Sequence, residues 1–425
     1  MIEQTRKIAV IGGSRIPFCR SNTVYSSKSN MDLLSAALQG LIDRFDLHGK
    51  QFDEVIAGAV TTHSRDWNLA REALQSTTMS PLTPGITLQQ ACATSLQGAL
   101  MIGAKIATGQ IECGIAAGSD TTSDFPVVFG KKFSSRVAKL GAARSFKQRM
   151  GALKGFRPSE LKPVVPANGE PRTGLAMGQH CDRMAREWNI SREEQDKLAL
   201  ASHLNAAKAY DEAFFDDIVV PWSGVSRDNN IRGDSSLEKL STLRTVFSTG
   251  GEATMTAANS TPLTDGAAAV LLASEDWAKA NNMPVQAYIT AGRTSAVDYV
   301  NDEGLLMAPT VAVAEMLQAT GLSLQDFDFY EIHEAFAAQV LSTLAAWESE
   351  DYCKNRLGLD QALGSIDREK MNVKGGSVAV GHPFAATGAR IISSLGQILE
   401  EAGSGRGLIS VCTAGGMGVA AIMER

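Results

Sequence analysis

Short apolar runs alternate along this chain with stretches of helical periodicity, and that alternation is what most limits its fold. Eight runs read as buried strands: KIAVIG (7–12), EVIAGAV (54–60), CGIAAGS (113–119), GAAAVLLAS (266–274), VQAYITAGR (285–293), FDFYEIH (327–333), GLISVCT (407–413) and GVAAIME (418–424). Apolar residues at helical spacing mark 32–46, 93–108, 192–209, 310–320, 335–347 and 385–402. The expectation is an α/β protein whose sheets are covered on both faces. At 425 residues the chain exceeds one ordinary core, so two or three domains or subdomains are expected.

The pattern also echoes itself. Cys92, a helix and then ECGIAAGSDTTS are matched later by His382, a helix and then GLISVCTAGG. Two similar α/β halves follow, one from 1–120 with 251–275 and the other from 276–425. Residues 121–250 break the alternation and are predicted to form an inserted loop or lid domain. Within it, Phe125 to Ser159 carries nine Lys/Arg and no Asp/Glu, with Phe133, Val137 and Leu140 on one helical face.

Bulk properties exclude several functions. A net charge of −6 argues against a general nucleic-acid binder, and no apolar run reaches the roughly 18 residues of a membrane span. MIEQTRKIAVIGG runs straight into the first strand, so no signal peptide is expected. The six cysteines (19, 92, 113, 181, 353, 412) have neither disulfide-framework nor metal spacing, which suggests a reducing, cytoplasmic setting without a metal.

Four stretches carry chemistry. QQACATSLQGAL (89–100) places Cys92 at or just before the first turn of the helix expected over 93–108. Unpaired N–H groups and the positive dipole end favour an anion there, and a thiol can fall from about 8.5 to roughly 3.5–7.5. A buried cysteine acting as a small hydrophobe is the alternative. GGSVAVGHPFAATGAR holds His382 between Gly381 and Pro383, ahead of a helix. It reads as a base for a thiolate, or as an idle side chain in a surface turn. SVCTAGGMGVA carries Cys412 at a strand end, before a turn able to aim N–H groups at an oxyanion; a core cysteine is the other reading. YEIHEAFAAQV sets His333 at a strand-to-helix junction beside Glu334, where a capping Glu and a neutral His form the plain account.

Together, ACATSLQG, HEAFAAQ, GGSVAVGHPFAATGAR and CTAGGMG resemble the thiolase family. The likeness extends to SRIPF near the start, ISREEQDKLALASHLNAAKA (190–209), NNIRGDSSLEKLSTLR (229–244) and AANSTPLTDGAAAVLL (257–272). The resemblance implies a thiolase-like fold, with two α/β halves in α-β-α-β-α layers around an inserted loop domain. It implies reversible CoA-dependent cleavage of a 3-ketoacyl-CoA, as in fatty-acid β-oxidation. Cys92 would be the nucleophile, His382 its base and Cys412 the acid that protonates the leaving carbanion. Two thiols and one imidazole suit this chemistry, since a carbon acid needs a weak acid of similar pKa nearby.

By the same likeness, the N–H groups of Cys92 and Ala414 would hold the thioester oxygen. His382 and a water on His333 would hold the enolate oxygen. Coenzyme A, a co-substrate and not a permanent cofactor, would meet Arg232, Ser260, Thr261 and Met177. Many family members have Asn at the His333 position; the HEAF form resembles the branch with β-subunits of trifunctional fatty-acid oxidation complexes, and Ala414 replaces a usual Gly. That branch implies a homodimer or homotetramer, a hydratase/dehydrogenase α-subunit as partner, and peripheral membrane contact through 125–159. The alternatives are a biosynthetic acetoacetyl-CoA thiolase, a decarboxylating ketoacyl synthase, which has no use for Cys412, and a non-catalytic thiolase-like lipid carrier.

Overall fold

The computed structural model describes residues 5–165 and 169–425. Each of the eight apolar runs forms a strand, and all eight join one sheet. Glu54–Gly58, Cys113–Asp120, Thr264–Ser274 and Ile8–Arg15 lie side by side in that order. Phe329–Ile332, Arg406–Thr413, Met417–Glu424 and Ala287–Ala296 repeat the design, so the echo in the sequence is an echo of topology. In each set the first pair is parallel and the others antiparallel. The parallel pairs need long crossovers, and those crossovers contain the helices Thr94–Ala107 and Thr387–Ala402. Ile8, Ala9 and Val10 pair with Ile289, Tyr288 and Ala287 and so fuse the two sets.

Because side chains alternate along a strand, each strand feeds two cores. Val10, Ile56, Val270, Leu272, Ile409, Val411, Val419 and Met423 share one core with the Thr94–Ala107 and Thr387–Ala402 helices. Ala9, Ile11, Val55, Ile115 and Leu271 turn to the opposite side, against the Asn30–Phe45 and Leu69–Gln75 helices. In the second set Ile332, Leu408, Ala420 and Ile422 meet Ala308–Thr320 and Ala337–Glu348. Five layers result, α-β-α-β-α, with two helices in the middle. Those two touch backbone to backbone: a Cβ on Gly388 would stand 2.2 Å from the Leu96 nitrogen.

Of the expected insertion over 121–250, the described residues 125–165 form a compact unit of their own, and 169–250 belong to the unit that contains both halves. In the small unit, Val128–Phe129 pairs with Pro163–Val164, and Lys131–Ala142 and Phe146–Leu153 are helices. Phe133 packs against Phe129 and Phe156, with ring centroids at 4.8 and 6.2 Å. The Arg136 guanidinium donates to Glu160 and to the carbonyls of Ala152, Lys154 and Gly155.

Candidate active site

Cys92 lies in the short turn Ala91–Ala93, which runs directly into the Thr94–Ala107 helix. Ala91 has φ +45°, a left-handed conformation that a residue with a side chain adopts at a cost of about 1–3 kcal/mol. Thr94 holds the turn: its Oγ1 donates to the Ala91 carbonyl at 2.7 Å and accepts from the Gln90 N–H at 2.8 Å. His382 follows Gly381, whose φ of +104° suits glycine. A Cβ there would also meet the Thr264 side chain at 2.7 Å. The His382 Nε2 and Cys92 Sγ are 3.1 Å apart. Cross-ties between the halves fix that distance. Ser95 Oγ accepts from the Ala389 N–H at 2.8 Å and donates to the Ala385 carbonyl, and Asp120 accepts from the Ala385 N–H at 2.9 Å.

The depressed thiol expected at Cys92 is not what this burial produces. Desolvation pushes the Cys92 thiol up to about 12, with Asp120 and Glu170 adding to it. The N–H groups of Ala414 and Cys92 act in the opposite direction and are outweighed. Burial also pulls His382 well below the usual imidazole range, with the Arg390 charge adding to it. The pair therefore rests as neutral thiol and neutral imidazole. A neutral thiol facing Nε2 at 3.1 Å has to donate, so Nε2 holds the lone pair. The Nδ1 proton then goes to Thr387 Oγ1, 2.6 Å away. His382 is thus oriented as a base.

His333 is brought to the same place, its ring centroid 4.2 Å from that of His382. Cys92 Sγ and one ring nitrogen from each histidine lie within 4.8 Å of one another. A thiol and two imidazoles so placed could also ligate a soft cation such as zinc. Asn372 clamps both sides of His333: it accepts from the Ile332 N–H and donates to the Ile332 carbonyl, each at 2.9 Å, and donates to Glu334 at 2.6 Å. Glu334 is buried and accepts from Ser202, Asn372 and the Val378 N–H, so it braces the loop ahead of His382 and does not merely cap a helix. Cys412 is buried in an apolar cluster with Cys181, Met184, Ala335 and Phe336, and Met177 packs against that cluster. Burial raises the Cys412 thiol well above its ordinary value, and the nearby Cys92 and Cys181 add to this. A thiol kept protonated is fit to give a proton.

Arg232 and Ser260 line a cavity of about 300 Å³ with Arg20, His203, Lys239 and Leu243. Three cations in one cleft suit an anionic ligand such as the phosphates of coenzyme A. Thr261 does not line it; its hydroxyl donates to the Ser377 carbonyl at 2.8 Å. Ser95, Asp120, Asn372, Arg20 and Lys239 escaped the reading of the sequence. Asp120 closes an apolar strand in CGIAAGSD and Asn372 sits three letters before a Gly-Gly pair. A polar residue at such a boundary is the one available signal.

Comparisons with known proteins agree along the whole chain. Residues 8–276 match the family model described as Thiolase, N-terminal domain, and residues 283–425 match Thiolase, C-terminal domain. A 3-ketoacyl-CoA thiolase of Shewanella loihica is 41% identical over 424 residues, 98% of this chain and 97% of the relative. One of Aliivibrio fischeri is 40% identical over 427 residues, 99% and 96% of the two chains. Among solved structures, a Bacillus anthracis acetyl-CoA acetyltransferase superposes with a TM-score of 0.81 at 28% identity, over 99% of both chains. A human mitochondrial 3-ketoacyl-CoA thiolase in complex with CoA gives 0.81 at 26% identity, over 99% and 98%.

Proposed function

This chain belongs to the thiolase family, and on that premise we propose that it is an acyltransferase cleaving 3-ketoacyl-CoA with coenzyme A through an acyl-Cys92 intermediate. The observation that carries the residue roles is the 3.1 Å contact between Cys92 Sγ and His382 Nε2 in a water-poor site. As Cys92 Sγ attacks the 3-keto carbonyl, its proton passes to His382 Nε2. The C2–C3 bond breaks, its electrons go to C2, and Cys412 protonates C2 to release acetyl-CoA. Coenzyme A then attacks the acyl thioester. Its thiol proton restores Cys412, and His382 returns its proton to the Cys92 sulfur. His333, with His382, faces the enolate oxygen, while the Ala414 and Cys92 N–H groups hold the thioester oxygen.

The cation-lined cleft of Arg20, Arg232 and Lys239 is the proposed coenzyme A site. Acetoacetyl-CoA incubated with coenzyme A should lose its enolate absorbance, and a series of 3-ketoacyl-CoAs of rising length should define the acyl pocket. Absence of turnover with every member overturns the reading. The 3-ketoacyl-CoA relatives at about 40% identity favour the degradative direction.

The Gly85–Thr87 strand lies at one edge of the sheet, and a sheet edge is open to pairing with another chain. Trp67 and Leu82 near it are 92% and 72% exposed. A homo-oligomer that covers this edge follows, and sedimentation as a monomer at micromolar concentration would overturn it. Residues 125–159, with nine cations of which Arg136 is paired to Glu160, and several exposed phenylalanines, fit an anionic membrane surface or an α-subunit partner. No helix among the described residues is long and apolar enough to cross a membrane.

A further inference from the structure

We infer that Ser377 and Arg390 are positioning residues that lock His333 in the tautomer whose Nε2 carries the proton and presents it to the reacting oxygen. The catalytic consequence rests on the thiolase reading; the hydrogen-bond logic does not. Both residues belong to GGSVAVGHPFAATGAR, and neither has a role in the chemistry described so far.

The Ser377 hydroxyl is buried between two groups, Arg390 Nη2 at 2.9 Å and His333 Nδ1 at 2.9 Å. A guanidinium only donates, so one lone pair of Ser377 Oγ belongs to Arg390. Two arrangements remain for the histidine. If His333 Nδ1 also donated, the serine's own proton would have no acceptor, and a buried unpaired donor costs about 1–3 kcal/mol. If the serine proton goes to Nδ1, both hydrogen bonds are made and the serine hydroxyl keeps no unpaired proton. The second arrangement places the remaining ring proton on Nε2.

That Nε2 is buried and has no hydrogen-bond partner among the described residues. A buried donor without a protein partner calls for an explanation, and its place beside Cys92 and His382 supplies one, a ligand atom in the reaction site. Its neighbour His382 has the opposite arrangement, with the lone pair on Nε2. One imidazole takes a proton, and the other donates a hydrogen bond without giving its proton up. In water the two tautomers of a neutral imidazole interconvert freely, so a protein that needs both forms side by side has to impose each. The Cys92 thiol does so for His382, because its proton needs the Nε2 lone pair, and Ser377 does so for His333. Arg390 is in turn oriented by Glu331, at 3.5 Å, with both side chains 3% exposed. Its charge also disfavours protonation of both histidines.

The test uses the intact protein labelled with ¹⁵N-histidine. Long-range ¹H–¹⁵N correlations report the tautomer of each ring, and loss of a signal in His333→Asn assigns His333 among the six histidines. The wild type should show His333 as the Nε2–H form. Ser377→Ala should shift it toward Nδ1–H or a mixture, and Ser377→Thr should restore it. In parallel, kcat for acetoacetyl-CoA cleavage should fall in Ser377→Ala toward the roughly 10²–10³-fold loss that follows removal of one such donor. KM should change little, and acyl transfer from a simple acyl-CoA to Cys92 should persist, since no enolate forms in that step. Arg390→Lys, which keeps the charge without the fork, should shift the same tautomer. A wild type with His333 in the Nδ1–H form overturns the inference, whether or not the variants fold. So does a folded Ser377→Ala with unchanged tautomer. An Nε2–H ring in a protein that cleaves no 3-ketoacyl-CoA would instead overturn the thiolase reading and leave the tautomer lock standing.

Discussion

A buried nucleophile faces a desolvation cost that its partner must offset at the moment of reaction. Cys92 is 4% exposed and its thiol stands at about 12, so almost no thiolate exists at pH 7 without substrate. His382 is shifted the other way and stays neutral across the whole range above pH 7. The sign gives a prediction. Inactivation by iodoacetamide should accelerate about tenfold per pH unit between pH 7 and 9, as thiolate accumulates below its pKa. Prior acyl-CoA should protect. A rate already on a plateau at pH 7 would mean a preformed thiolate–imidazolium pair. Cys412 should behave differently. Cys412→Ala should still accept an acyl group from a simple acyl-CoA but fail at C–C cleavage, because no other group is assigned to protonate C2. Near wild-type cleavage of acetoacetyl-CoA by that variant would reduce Cys412 to a packing residue.

The two central helices act as the caliper of the site, since Cys92 precedes one and His382 the other. Their separation is set by Gly388 against the backbone of Leu96, where an added Cβ would stand 2.2 Å from a nitrogen that cannot yield. Gly388→Ala should cost at least the roughly 1–3 kcal/mol of overpacking. It should also lower kcat by widening the 3.1 Å gap. Gly151→Ala is the contrasting case, because its Cβ would meet nothing within 4 Å on an exposed helix. It should stabilise its helix by about 0.5–1 kcal/mol. Thermal melting and steady-state rates of the two variants, side by side, check both. Equal melting temperatures would show that the helices part freely.

The whole molecule carries a net charge of −6, yet nine of its cations lie within 35 consecutive residues, 125–159, that contain no acid. Phe129, Val137, Phe146 and Met150 in that segment are 51%, 50%, 79% and 52% exposed. Liposome co-sedimentation should show binding to anionic vesicles that weakens with salt, as screening shortens to about 8 Å near 0.15 M. Neutralising Lys131, Lys132, Lys139 and Lys147 to Gln should abolish it while leaving short-chain turnover intact. Arg136 is excluded from that set because it holds Glu160 and three carbonyls of its own unit. No vesicle binding, with a raised KM for coenzyme A in the variant, would assign the charge to the co-substrate.

Local patterning by itself determined the eight longest strands, six of the helices and the chemical inventory. Those eight strands and six helices follow from periodicity within about ten residues, because burial on both faces of a strand or one face of a helix is written in neighbouring letters; short elements such as Gly85–Thr87 and Leu237–Ser241 carry no such pattern. The four reactive stretches were equally legible, since each places a thiol or imidazole at an element boundary. Tertiary structure decided the rest. Cys92 and His382 are 290 residues apart, and no local pattern reports a hydrogen bond across such a gap. The same holds for Ser95 with Ala385, Asp120 with Ala385, and Asn372 with Ile332. Nor could the letters around Cys92 foretell its thiol. A helix start favours the anion, but the helix packed across it excludes water, and desolvation outweighs a few N–H dipoles. Polar residues make their contributions through partners, and the fold chooses the partners.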